Sequence, residues 1–331
     1  MLSGIVLIIT GEKECSVPQV IAHLQSIGQP YFRLDTDSFF DRRTRLALSL
    51  HSDVVTGSIQ CSTCEIDLSL IKSVWCRRPK NVCAAWMEGV MERQFVEDEV
   101  SSSLWSLYTS LGMVFWMNHP LRARYLLEHN KLLQMKIAAS AGLTVPDTII
   151  TNDAHRLIRF CEDHGGGIAV KAVRSRIFQE EGGAVGIYTN KISTGYLKKH
   201  IADITLAPVM AQEYVKKEIE LRITVVGHSI FTCAIHSQDS ARTKDDWRRY
   251  DFSRVKHEPC ELPSTTKNQL LAFMKKCGLT FGAIDMILTP AGEYVFLEVN
   301  PSGQFGWIEN LTGLPISESI AKTLSAPPLN E

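Results

Sequence analysis

The stretch from Gly282 to Gln304, GAIDMILTPAGEYVFLEVNPSGQ, limits the possible folds of this chain more than any other. It reads as two strands joined by a tight turn. Residues 283–288 are apolar except for Asp285, and residues 294–299 form a second apolar run that ends in Glu298, Val299 and Asn300. Between them, Thr289-Pro290-Ala291-Gly292 has the chemistry of a turn, with Pro to set φ and Gly to allow a positive φ. Side chains alternate along a strand, so Glu298 and Asn300 share a face, and Asp285 lies opposite them if the strands pair. An acid inside an apolar strand is costly unless its charge is compensated. Two acids and an amide on one face therefore point to a hard cation with oxygen ligands, most simply Mg²⁺. The bland alternative is a pair of edge-strand acids facing water. It is the weaker reading, because buried acids are usually paired or metal-bound.

The chain has 331 residues, enough for two or three packed units, with 45% hydrophobic and 21% charged residues. A net charge of −1 gives no global basic field, which argues against nucleic acid as a partner. No apolar run is long enough to span a membrane, and residues 2–10 read as a first buried strand rather than a signal peptide. The nine cysteines are scattered and odd in number, which fits reduced thiols in a cytoplasmic protein. Cys61-Ser-Thr-Cys64 is the one CxxC, and without a second pair it reads as a turn between strands rather than a zinc site.

Taken in order, residues 5–10, 17–27 and 31–34 read as strand, helix and strand, the opening of a small α/β unit with a parallel sheet. A hairpin or meander over residues 45–59 and strands at 64–67 and 73–76 follow. Trp75-Cys76-Arg77-Arg78-Pro79 then sets two guanidiniums at a strand end. Such a pair suits phosphate or carboxylate, although on residue type alone two surface arginines are the preferred reading. A helix over 88–111 and a strand at 114–116 lead to Pro120, where the first domain boundary is expected. The expected segments are residues 1–120, 121–207 and 208–331.

Beyond that boundary, Asn130-Lys131 opens a helix that Gly142 ends. Lys171 stands within the apolar strand 168–173, where it needs an anion partner. Residues 175–186 carry Glu180-Glu181-Gly182-Gly183, a glycine-bearing loop whose amides can approach a polyphosphate, although a glycine pair alone is more often a hairpin turn. Residues 209–215, VMAQEYV, form a strand. Residues 220–226 and 230–236 read as an antiparallel pair that places Glu220 and Arg222 on one face. The charged stretch 238–256, with Asp246-Trp247-Arg248, reads as an irregular segment near a site. Helices are expected at 265–277 and 316–324.

This order of elements resembles the ATP-grasp fold over roughly residues 121–325. It runs through Lys131, Lys171, the Gly loop, Gln212–Val215, Glu220 with Arg222, Asp285, and Glu298 with Asn300, and the combination is specific although each piece alone is weak. Trp75–Pro79, Asp246-Trp247-Arg248 and the segment from Asn300 to Trp307 narrow the resemblance to the graspetide synthetases, microviridin-type ligases that cyclise ribosomally made precursor peptides. The resemblance implies a mixed α/β (α+β) ATP-grasp fold behind a small N-terminal pre-ATP-grasp domain. It implies ATP and Mg²⁺, and a reaction joining Asp or Glu carboxylates to Ser/Thr hydroxyls or Lys amines through an acyl phosphate. By the same resemblance, Lys131 and Lys171 contact phosphates, together with the backbone of Gly182 and Gly183. Gln212, Glu213, Tyr214 and Val215 line the adenosine pocket, and Glu220 serves the nucleotide or its metal. Asp285, Glu298 and Asn300 hold Mg²⁺. Arg222 and Arg248 are the expected catalytic arginines, and His236 is the candidate base. A leader segment is expected to dock on the hairpin around residues 175–189 and the adjacent helix, and a homodimer is the default assembly. Two rivals remain at this stage: a ligase adding a free amino acid, and a nucleotide-binding regulator without activity.

Overall fold

The structure, a computed structural model, describes residues 4–39, 43–62, 64–80, 82–174, 177–180 and 183–327. The chain divides into two compact units. One comprises residues 1–120, 304–309 and 315–331, and the other 121–303 and 310–314.

In the first unit the strands Tyr31–Asp35, Ile5–Thr10, Ile71–Cys76 and Phe115–Met117 lie side by side in that order, all parallel. Leu7, Ile9, Phe32, Leu34 and Val74 are buried there with Leu104, Leu107 and Tyr108 of the helix Val90–Ser110. A three-stranded antiparallel sheet, Arg45–His51, Val54–Gln60 and Glu65–Asp67, completes the unit's strand content among the described residues. The CxxC makes the turn between the last two strands, with Cys61 N–H donating to the Cys64 carbonyl at 2.8 Å.

The expected segment 208–331 does not stay together, since residues 304–309 and 315–331 belong to the first unit. The cause is the helix Ile316–Ser325, which buries Ile316, Ile320, Ala321 and Leu324 and packs on the helix Val17–Ser26 and the strand Ile71–Cys76. Lys72 Nζ and Ser73 Oγ donate to the terminal carbonyls of Ser325 and Leu324, each at 2.8 Å, and so satisfy acceptors that a helix end leaves open.

Among the described residues the second unit holds two larger antiparallel sheets and a two-stranded hairpin. The first runs in the order Asn190–Ser193, Gly167–Lys171, Val209–Glu213, Thr148–Thr151. Its Val209–Glu213 strand therefore pairs with residues before 208, so the boundary expected at 207/208 cuts through a sheet. The second sheet runs His257–Pro259, Ser229–Ile235, Ile219–Val226, Phe281–Leu288, Tyr294–Asn300. Alternation gives this sheet two chemically distinct faces. Leu221, Ile223, Val225, Ile284, Met286 and Phe296 form a core with Met135 and Ala138 of the helix Lys131–Ser140 and with Leu270 and Phe273 of the helix Ser264–Cys277. The Phe273 and Phe296 rings stand 4.9 Å apart at this core. The opposite face carries Glu220, Arg222, Asp285 and Glu298.

The Thr289–Gly292 turn forms as expected, with Gly292 at φ +82° and its N–H donating to Thr289 O at 2.9 Å. Gly278 ends the Ser264–Cys277 helix in the left-handed region, φ +61°, where a residue without Cβ adopts the cap without strain. The helical stretch expected across 121–141 is two pieces. Leu121–Glu128 is a π-helix, and Asn130 caps a new helix from Lys131, its Oδ1 accepting from Leu133 N–H at 3.1 Å. The glycine-bearing loop is a hairpin, Ile177–Glu180 paired antiparallel with Gly183–Gly186. Gly182 lies outside the described residues.

Candidate active site

The central feature is one row of side chains across three strands. Register places Arg222 beside Asp285 and Asp285 beside Glu298. Arg222 Nη1 donates to both Asp285 oxygens at 3.0 Å. Glu298 Oε2 takes the ammonium of Lys131 at 2.9 Å. Lys131 opens its helix, and Gln134 one turn on fixes that helix to the Glu298 strand: its Oε1 accepts from Val299 N–H at 3.0 Å. The acids that the sequence reading compensates with a metal are thus each paired with a fixed cation of the protein.

Burial pushes the Asp285 carboxyl above its usual range, with Arg222 working against that rise and Glu298 adding to it. Glu298 goes the other way. Burial alone would raise it, but Lys131, Lys171 and Arg248 together bring it down to about 2. Two facing carboxylates with opposed shifts divide the roles: Glu298 stays ionised, and Asp285 depends on its arginine.

The row borders an open cleft within this unit. Lys131, Lys171, Gln212, Glu213, Tyr214, Val215, Glu220, Arg248, Asp285 and Glu298 all line it, and each was expected from sequence. Lys171 makes no ion pair among the described residues, and desolvation brings its ammonium down to about 8 despite the nearby Glu298. Burial raises Glu220 although Lys217 stands 3.1 Å away. Tyr214 is pushed up to about 12, first by burial and then by Asp245, whose Oδ1 accepts its hydroxyl at 3.1 Å.

Several expected residues lie elsewhere. His236 does not line the cleft, where the sequence reading expected a base; its Nε2 is 2.8 Å from Glu258 Oε1 on the neighbouring strand. Asn300 is exposed at the strand end, and its Oδ1 accepts from Ser302 N–H at 3.0 Å. Arg222 stands behind Asp285 rather than in the lining. Gly183 is described as the first residue of the hairpin's second strand. Of the arginine pair in the first unit, Arg77 is no surface residue. It is 1% exposed, donates to Gln304 Oε1 at 2.7 Å and stacks over Phe305, and burial brings it down to about 10.

Other lining residues escaped the sequence reading. Leu297 faces the cleft together with its neighbour Glu298 because the ladder shifts register after Asp285, a β-bulge that breaks strict alternation. Asp246, 4% exposed, grips Arg248 in a fork, Oδ1 to Nε at 2.8 Å and Oδ2 to Nη2 at 2.5 Å, and also accepts from Thr189 N–H at 2.8 Å. Burial works against the charge on Arg248, but this fork outweighs it and raises the guanidinium further. Lys217, Asp245 and Trp247 complete that wall. The sequence marked Asp246 and Trp247 through the Asp246-Trp247-Arg248 motif but gave neither a role, and Lys217 had no signal beyond its charge.

Gly303 permits the close approach of this layer. A Cβ there would meet Ala283 Cβ at 2.4 Å and Arg222 Nη2 at 2.8 Å. We expect Gly303→Ala to destabilise the unit by about 1–3 kcal/mol, as overpacking does, and to displace Arg222. A urea midpoint equal to that of the parent protein would show that the layer yields without cost.

The donor set fits a nucleotide with a divalent ion. Lys131, Lys171 and Lys217 line the cleft together with apolar Ile187, Ile287 and Leu297. Gln212 Oε1 is buried there with no hydrogen-bond partner among the described residues.

Comparison with known proteins agrees with this geometry. The MvdD pre-ATP grasp domain family matches residues 5–124, and the RimK-like ATP-grasp domain family matches residues 128–324. The RiPP-associated ATP-grasp ligase of Chryseobacterium gregarium, solved with ADP and a leader and core peptide, is 27% identical, with 99% of this chain and 98% of that chain covered and a TM-score of 0.90. Macrocyclase MdnC of Microcystis aeruginosa MRC, solved with precursor peptide MdnA, is 31% identical over 97% of this chain and 99% of that chain, TM-score 0.81. Macrocyclase MdnB of the same organism is 29% identical over 97% and 99%, TM-score 0.78. No curated protein matches the chain.

Proposed function

We propose that this chain, which belongs to the RimK-like ATP-grasp family and carries an MvdD-type pre-ATP-grasp domain, closes macrocycles in a ribosomally made precursor peptide. The observation that carries the reading is the Arg222–Asp285–Glu298 row with Lys131 and Lys171 at one cleft, on a chain that matches peptide-bound ligases along nearly its whole length. The reaction is ATP-dependent. A peptide Asp or Glu carboxylate takes the γ-phosphoryl group to give an acyl phosphate and ADP. A Ser/Thr hydroxyl or Lys amine of the same peptide then attacks the acyl carbon, loses its proton and expels phosphate, leaving an ester or an amide.

The chain's own residues act by position and charge. Lys131 and Lys171 hold phosphate oxygens as point charges. Gln212, Glu213, Tyr214 and Val215 form the wall for the nucleoside, with Leu297 and Ile287 as apolar floor. Asp285 and Glu298 would hold Mg²⁺, with Asn300 next on the same strand face as Glu298. Mg²⁺ so held usually shares its coordination with phosphates and water, so no all-protein cage is needed. When bound, the ion neutralises charge developing between the phosphates. Arg248, fixed by its fork to Asp246, is placed to receive the peptide carboxylate or the transferring group. Holding both reacting groups supplies much of the rate.

The reading includes a homodimer in the cytoplasm, with a leader segment bound at the hairpin of residues 175–189 and with neither nucleic acid nor membrane as partner. The formal charge of −1 supports the absence of a nucleic-acid partner. No helix of the described residues is long and apolar enough to cross a membrane. The test is the intact mass of the cognate precursor after incubation with the protein, ATP and Mg²⁺. Loss of one water mass per ring is expected. An unchanged peptide, with ATP still bound, would sink the proposal.

A further inference from the structure

At the edge of the cleft, Asp147, His164 and Glu213 form a cluster in which one oxygen or nitrogen of each lies within 4.8 Å of the others. His164 directly follows the helix Ala154–Asp163, and its ring lies against Phe160 with centroids 4.4 Å apart. Its Nδ1 is 2.8 Å from the Phe160 carbonyl. A carbonyl only accepts, so Nδ1 carries a proton. Nε2 then faces Asp147 Oδ2 at 3.2 Å. A neutral ring would turn a lone pair toward a carboxylate, acceptor against acceptor, whereas the imidazolium donates to both partners. The charged groups facing the ring from the elements around it are Asp147, ahead of the Thr148–Thr151 strand, and Glu213, at the end of the Val209–Glu213 strand. Those two segments are joined by Glu213 N–H donating to the Asp147 carbonyl at 3.0 Å. Of the three residues, Glu213 lines the cleft.

We propose that His164 is a positioning residue: as an imidazolium hydrogen-bonded to Asp147 and within 4.8 Å of Glu213, it offsets through its charge the Glu213 carboxylate in the cleft wall and so makes nucleotide affinity depend on pH. The inference rests on the reading of the cleft as an ATP site. The Phe160 carbonyl, and after it Asp147 and Glu213, raise His164 above the ordinary histidine range, so its charge persists toward neutrality. Both ring N–H groups are taken, so the ring acts on Glu213 through its charge, which offsets the repulsion between that carboxylate and a triphosphate. Affinity for ATP is therefore full below the His164 pKa and falls as pH rises through it. By linkage, ATP binding raises that pKa.

The experiment is calorimetric titration of the full chain with ATP and Mg²⁺, without peptide, between about pH 5.5 and 7.5, the range in which a histidine changes charge. Lys171, at about 8, begins to lose its proton at the upper end of this window, and it does so in the parent and both variants alike. The parent protein, His164→Gln and Asp147→Asn are compared, and protonation of ATP itself is common to all three. We expect the parent Kd to rise about threefold across the window, the scale of a partly exposed ion pair, and the Gln variant to lack that step. Asp147→Asn, with one carboxylate gone, should move the step to lower pH. Parallel profiles for the parent and His164→Gln would overturn the role of His164 while leaving the cleft as an ATP site. Absence of ATP binding in every variant would overturn both readings.

Discussion

Glu298→Gln is expected to stop ring closure, lowering turnover on the order of a thousandfold, the scale lost when a preorganised charge at a reacting centre is removed. The substitution keeps the shape of the side chain, so the effect is electrostatic. Glu298 is held down at about 2, which makes it ionised at every working pH, and the amide removes a charge the native protein always carries. Lys131 then keeps a neutral oxygen in place of its 2.9 Å partner, and Asp285 is left as the one carboxylate of the row. The measurements are phosphate release and intact peptide mass, with the unfolding midpoint as a control for fold. If the Gln variant closes rings at the parent rate, Glu298 is neither a metal ligand nor part of the phosphate site.

The second large effect is on stability. Arg222 and Asp285 have side chains 7% and 12% exposed, and each is a strand neighbour of the other. Removing one partner of a buried ion pair leaves an uncompensated charge and typically costs about 3–5 kcal/mol, whereas replacing both partners costs much less. Arg222→Met should therefore lower the stability of the second unit by about 3 kcal/mol, and adding Asp285→Asn should recover much of that loss. The sequence of additions matters here, because Asp285 already lies above its usual range through burial and Glu298 adds to the strain on its charge. Urea unfolding of both single variants and the double variant checks this. A neutral Arg222→Met would show that Asp285 takes up a proton in the native protein at no cost.

Much of the site was legible because its chemistry sits on strands. An acid in an apolar run, as at Asp285 and Glu298, and a lysine in another, as at Lys171, violate the local pattern, and such violations stand out in a sequence. What compensates each charge was not legible. Lys131 reaches Glu298 from a helix more than 150 positions earlier in the chain, and Arg222 reaches Asp285 through sheet register, and neither pairing has a local signature. His236 shows the opposite failure. It shares the strand-end neighbourhood in sequence, but Glu258 on the next strand claims its ring. The helix Ile316–Ser325 was legible as a helix, yet its apolar face carried no information about which unit would bury it. Asp246 stood out in the sequence as part of the Asp246-Trp247-Arg248 motif, but only the fold reveals the fork to Arg248 and the bond to Thr189.

The bulge beside Asp285 has a consequence for how the cleft is measured out. Strict alternation would admit either Leu297 or Glu298 to the cleft, with the other turned into the core. With the register shift both face it, so an apolar contact and an ionic one follow each other on adjacent residues. Their spacing is then set by a single trans peptide unit, about 3.8 Å between α-carbons, a length that covalent bonds fix and thermal motion scarcely alters. The cleft carries a ruler made of backbone: the two α-carbons that present its apolar floor and its charged edge keep one spacing, and only side-chain rotamers adjust the rest.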